Sequence, residues 1–260
     1  MDSIAALRAV VAREKDAAQE EAAGGCDSHG GQRLTLGRVV VHADAHVYEL
    51  FDARGRLLVA CAAKDAAVSE AVFSTLPGLG QATRRYAALP TSPLAATHLG
   101  TLRRVGWGGL AWVLVAADGV TELCSLRFAL ALTAGPVRFA LSVPRPSTAA
   151  CASTLEVRTR PPVFNTELGS FVSNFGCRVK RPSNLNFVAV EAAAGARGRA
   201  PAVALPAAAT IDPPSCPFLR HGQVSAHEWV LDYRPPLTPL VALAVAVAVH
   251  ARKTLAAAEP

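Results

Sequence analysis

The chain has 260 residues, 51% of them hydrophobic and only 6% aromatic, with a formal charge of +6. That length and apolar content exclude a wholly disordered chain and allow one large domain or two small ones. Arginine supplies 22 of the 26 basic residues, and residues 34–260 carry a net +8 against −2 for residues 1–33, a field suited to anionic membrane surfaces or nucleic acid.

Residues 2–22 are good helix formers, with Ile4, Leu7, Val10 and Val11 forming a short apolar stripe. A glycine-rich break follows from Gly24 to Gln32. Residues 1–33 are expected to be an appended helix and flexible linker, or else a frayed tail. From Leu34 the texture changes to short apolar or alternating runs. These are 34–42, 46–52, 56–63, 109–116, 122–132, 137–143, 170–175, 186–190, 216–224 and 228–233. Turn formers sit between them at 53–55, 117–119 and 134–136. Many short strands with regular turns predict a mainly β sandwich or barrel, and the lack of strand–helix alternation counts against a Rossmann or other α/β fold.

Residues 191–215 are dominated by Ala, Pro and Gly and predict a disordered insertion. Pro235 and Pro236 stop the last strand. Thr238 is suited to cap a helix, Pro239 fits its first turn, and LVALAVAVAV runs uninterrupted from 240 to 249. Arg252 and Lys253 are expected to close that helix, where cations suit the dipole. Ten apolar residues are too few to cross a bilayer, which takes about 20. A helix apolar on every side must still be buried, and a large barrel can hold it as a plug.

Catalytic and metal chemistry have little support. The six cysteines form no CxxC pair, and the histidines show no HExxH spacing. Cys177 is read as a strand thiol with His221 and His227 downstream, but a buried structural cysteine is the commoner case. Trp107, Trp112 and Trp229 are assigned to the core rather than to a cofactor platform. No cofactor is expected. The first 25 residues lack the apolar stretch of a secretory signal, so a cytoplasmic chain with reduced thiols is expected. RVKR at 178–181 is read as a solvated strand end before Pro182, with lipid or nucleic-acid contact as the alternative.

Several segments, taken in order, resemble the tubby-like protein family. They are GTLRR (100–104), SLRFALAL (125–132), GPVRFALSVP (135–144), PPVFNTELGSFVSNFGCRVKRPSNLNFVAV (161–190) and FLRHGQVSAHEWVLDYRPPLTPLVALAVAV (218–247). Asp232, Tyr233, Pro236 and Leu237 match the family's closing stretch position by position. The resemblance covers about residues 34–258. It implies a closed antiparallel β-barrel of about twelve strands around a central hydrophobic C-terminal helix. It also implies binding of phosphatidylinositol 4,5-bisphosphate at the barrel surface and a role as a membrane-tethered adaptor, often in cargo delivery to cilia.

In the family, a Lys-x-Arg on one strand and an Arg on a nearby strand hold the phosphates, with help from an Asn. Carried over, Arg103 matches the first arginine and Arg127 the second. Thr101 stands at the lysine position and keeps only a hydroxyl. The asparagine position falls near Ala71. Arg104 is a candidate replacement for the lost charge, but adjacent strand residues face opposite sides, so only one of Arg103 and Arg104 can share a site with Arg127. Arg84 and Arg85 lie in the preceding loop. One fewer charged hydrogen bond, worth roughly 1.5–3 kcal/mol, implies weaker or less selective binding. The expected partners are phosphoinositide headgroups and protein cargo or trafficking machinery, with no nucleic acid, at the plasma or ciliary membrane, as a monomer. A barrel of the related phospholipid scramblase type, or a degenerate barrel that binds only proteins, are the alternatives. No F-box pattern precedes the barrel, which disfavours a ubiquitin-ligase adaptor.

Overall fold

The computed structural model describes residues 34–64, 69–75, 97–106, 109–129, 136–145, 153–165, 170–173, 175–192 and 216–258. The helix and linker read into residues 1–33, the insertion beyond Ala192, and Arg84, Arg85 and Trp107 lie outside the described residues.

Fourteen strands are described. They are β1 (Gly37–His42), β2 (Val47–Asp52), β3 (Leu57–Ala63), β4 (Glu70–Thr75), β5 (Thr97–Val105), β6 (Ala111–Ala116) and β7 (Glu122–Phe128). Then follow β8 (Phe139–Arg145), β9 (Ser153–Thr159), β10 (Val163–Asn165), β11 (Ser170–Val172), β12 (Phe187–Glu191), β13 (Leu219–Gln223) and β14 (Glu228–Tyr233). Twelve close into an antiparallel barrel ordered β1-β14-β13-β12-β9-β8-β7-β6-β5-β4-β3-β2, and β10 and β11 form a separate hairpin. The expected closed barrel of about twelve strands around a C-terminal helix is therefore present. β4, β5, β9 and β10 lie where the reading of runs marked no strand, although Leu155 and Val157 of β9 do alternate inward.

Two of the turn signals work through an aspartate. Asp52 Oδ1 accepts from the amides of Arg54 (2.9 Å) and Arg56 (2.8 Å), closing the β2–β3 turn. Asp118 Oδ1 accepts from Val120 and Thr121, both at 2.9 Å, closing β6–β7 with Gly119 at φ +73°. These amide bonds, with Arg56 beside Asp52 and the Thr121 hydroxyl on Asp118, hold both carboxyls below the usual carboxylate range.

The helix α1 (Pro239–Ala258) fills the barrel. Thr238 caps it, its Oγ1 accepting from Val241 N at 3.3 Å. Every residue from Val241 to Val249 is at most 4% exposed. The helix touches β14, β2, β3, β6 and β7, strands from opposite sides of the ring. Alternating Ala and Val keep it thin enough for a twelve-strand lumen while removing apolar surface from water all around. It does not stop at Arg252 and Lys253 as expected. It continues to Ala258, because the alanine-rich stretch that follows is itself helix-forming. Among the described residues, no helix is long and apolar enough to cross a membrane.

One face of the barrel is sealed by the segment carrying the NFGCRV motif. Arg178 Nη1 donates to Asp232 Oδ1 on β14, and Gly37 N donates to the same oxygen at 3.3 Å. Asp232 is fully buried. Burial pushes its carboxyl up, and the Arg178 charge and hydrogen bond, the Gly37 amide and the Arg220 charge pull against that. Val179 sits over Gly222, where an added Cβ would come within 2.2 Å of Val179 Cγ2. Cys177 is in a turn at φ +57°, not in a strand as expected, because the chain must reverse there for Arg178 to reach Asp232. The basic RVKR run is thus largely structural at its start: Arg178 is consumed by the ion pair and Val179 by packing.

The thiols also depart from expectation. Cys61, Cys124 and Cys177 are outside any disulfide, whereas Cys216 is disulfide-bonded. Spacing along a chain does not reveal which cysteines meet in space.

Candidate functional site

Pairing places the arginines. β5 pairs with β6 through Arg103↔Val113, Arg104↔Trp112 and Val105↔Ala111. β6 pairs with β7 through Ala111↔Arg127, Trp112↔Leu126 and Val113↔Ser125. Trp112 and Leu126 are buried core residues. Arg103, Val113, Ser125, Ala111 and Arg127 therefore share the outer face. Arg103 and Arg127 sit two strands apart and one side-chain step out of line, roughly 12 Å between Cα atoms. Small Ala111 lies between them, so two long guanidinium arms have an open floor to cross.

Arg104 falls on the opposite, inward register opposite Trp112, and stays exposed at the mouth of the barrel. It does not share the face of Arg103 and Arg127, in line with strand alternation. Thr101 has the same parity as Arg103 but is only 6% exposed, and its Oγ1 lies 3.1 Å from His98 Nε2. Ala71 is wholly buried in the core, opposite Leu102. The outward positions of β4 opposite β5 are Glu70, facing Arg103, and Val72, facing Thr101.

Sequence reasoning missed Glu70. Its Oε1 lies 3.6 Å from Arg103 Nε, with both side chains about half exposed, at 52% for Arg103 and 41% for Glu70. At that exposure the pair is worth little, because solvent screens it, but it sets a carboxylate beside the arginine. Only the β4–β5 register, unreadable from local pattern, reveals it. Arg127 is exposed and makes no ion pair among the described residues. The arrangement can present two guanidinium forks to a multiply charged oxyanion.

No group of three or more His, Cys, Asp or Glu suited to a metal occurs among the described residues. His221 lies inside the barrel, fully buried, with Nδ1 3.0 Å from Val230 O and Nε2 3.2 Å from His250 Nε2 on α1. Its ring stacks on Trp229 at 5.0 Å between centroids. Burial, reinforced by His250, lowers its pKa well below 6.5, with the Val230 carbonyl acting the other way. This is a core packing arrangement that joins helix to barrel.

The Tub family model matches residues 125–250. Human Tubby-related protein 1 is 34% identical over 95 residues, which is 36% of this chain and 14% of that protein. The mouse Tubby-related protein 1 is 33% identical over the same shares. The chain thus covers about a seventh of the length of these relatives.

Proposed function

The chain belongs to the tubby-like family, and from that premise we propose that it binds phosphatidylinositol 4,5-bisphosphate-type headgroups as a peripheral membrane adaptor without catalytic activity. The observation that carries this reading is the pair Arg103 and Arg127, exposed on one outer face of the barrel with Ala111 between them. A net charge of +8 on residues 34–260 supports it by drawing the barrel toward an anionic leaflet. With Thr101 and Ala71 in place of more helpful groups, and Glu70 beside Arg103, binding is weak and draws much of its strength from long-range attraction. Delivery of membrane-protein cargo at the plasma or ciliary membrane, as a monomer, belongs to the same proposal.

Vesicle co-sedimentation tests it. Vesicles containing the bisphosphorylated lipid should retain the wild-type chain. The double variant Arg103→Ala, Arg127→Ala should lose at least tenfold in affinity, since each charged contact is worth roughly 1.5–3 kcal/mol. Equal retention of the two proteins rejects the site.

A second reading is a barrel that binds only protein partners. Glu70 favours it, because a carboxylate next to Arg103 opposes an incoming phosphate. Wild-type chain that ignores all phosphoinositide vesicles would favour this reading. The scramblase-like alternative, in which 240–249 engages the bilayer, is disfavoured by the burial of those residues inside the barrel.

A further inference from the structure

A cavity of about 480 Å³ opens on the outer surface where the β8 and β9 ends meet the 175–186 segment. Arg138, Arg160, Lys180 and Arg181 line it, with prolines, small polar side chains and the apolar Val137, Phe175, Val179 and Phe187, and no carboxylate is among the described lining residues. Arg138 and Arg160 precede and follow the inward residues Phe139 and Thr159, so both point outward from neighbouring strands. Arg138, Lys180 and Arg181 make no ion pair among the described residues.

The wall that carries Lys180 and Arg181 is held in place. Both backbone amides donate to Gln223 O, at 3.0 and 3.1 Å. Asn186 Nδ2 donates to Arg181 O at 2.8 Å, and Asn186 Oδ1 accepts from Gln223 N at 2.9 Å. The opposite lip is tied by Val137 N donating to Asn184 O at 3.0 Å. Lys180 and Arg181 are thus preorganised on one wall of the hollow by bonds that do not use their charges. Preorganisation lowers the ordering cost of binding, and guanidinium forks favour phosphate.

We propose that this hollow is an anion site, separate from Arg103 and Arg127, for a small polyphosphorylated group such as an inositol polyphosphate, free or as a lipid headgroup. It does not depend on the Arg103–Arg127 reading.

The exposed thiol of Cys177 lines the hollow and reports on it. The full chain is alkylated with a maleimide, and the rate at Cys177 is followed by peptide mass mapping. Inositol hexakisphosphate should slow that rate at least fivefold. Phosphoinositide vesicles provide a second arm: slowing by both probes assigns lipid and free forms, and slowing by the soluble probe alone assigns the free form. The variant Arg138→Gln, Lys180→Gln, Arg181→Gln should lose the protection and at least tenfold in affinity for the soluble probe by calorimetry. The variant Arg103→Ala, Arg127→Ala should keep the protection of Cys177 by the soluble probe. The melting temperature of each variant confirms folding. If the variant Arg138→Gln alone serves because the triple fails to fold, a threefold or greater loss is expected. Absence of protection by either probe, or protection unchanged in the folded Arg138, Lys180 and Arg181 variants, overturns the proposal.

Discussion

Two residues illustrate how burial turns sequence into energetic commitment. Asp232 is fully buried, and its charge is answered mainly by Arg178 across 54 positions of sequence. Removing one partner of such a pair strands the other, which costs about 3 kcal/mol or more. Arg178→Ala should therefore lower the urea midpoint substantially. Asp232→Asn in the same chain should recover part of the loss, since a neutral amide needs no counter-charge. An additive double variant would contradict the coupling. His221 makes a different commitment. The unfolded chain takes up a proton near 6.5, whereas the folded chain resists it well below that value. The unfolded state then binds more protons as pH falls below 6.5, so His221 gives its full stabilisation above 6.5 and loses it progressively on acidification. Urea midpoints measured across that range should fall with pH, and His221→Phe should flatten the fall. Sequence marked His221 only as one of two histidines downstream of Cys177. Its pairing with His250 was invisible because the two rings meet only when the helix enters the barrel.

At the scale of elements, alternation and turn chemistry were readable. Runs such as 46–52 and 228–233 became β2 and β14, and the aspartate turns closed where Gly55 and Gly119 had marked them. β4 was hidden because EAVFST follows the mixed stretch AAKDAAVS with no Gly or Pro between them to mark a turn. The hairpin β10–β11 was only half seen, with no run marking β10. The helix was legible from its cap and its unbroken apolar run, yet its end was not, since alanines after Lys253 carry no stop signal. Burial on all sides predicts a large effect from thinning it. Leu243 is 0% exposed, and Leu243→Ala should cost about 2–5 kcal/mol through lost transfer energy and the cavity left behind. Chemical denaturation of the variant measures this. A loss below 1 kcal/mol would mean that the barrel collapses freely onto its plug. Of the candidate site, the outward sharing of Arg103 and Arg127 followed from motif and strand parity, whereas Glu70 needed the register between β4 and β5.

At the scale of the whole molecule, the ring is a long-range object. β2 to β9 run as a meander, each strand beside its predecessor, but closure joins β1 to β14, as in the Arg38–Glu228 bond across 190 positions. Local pattern specifies the meander and says nothing about which strands seal it. Contacts of such separation form slowly, because a long loop must be ordered before they repay its entropy. The order of synthesis sharpens this. The first strands of the ring leave the ribosome well before the segment that occupies the lumen, so their apolar lining stays unfilled until α1 has been made. Such a surface is aggregation-prone until it is filled. A chain cut short before Pro239 would lack the rod that fills its own lumen.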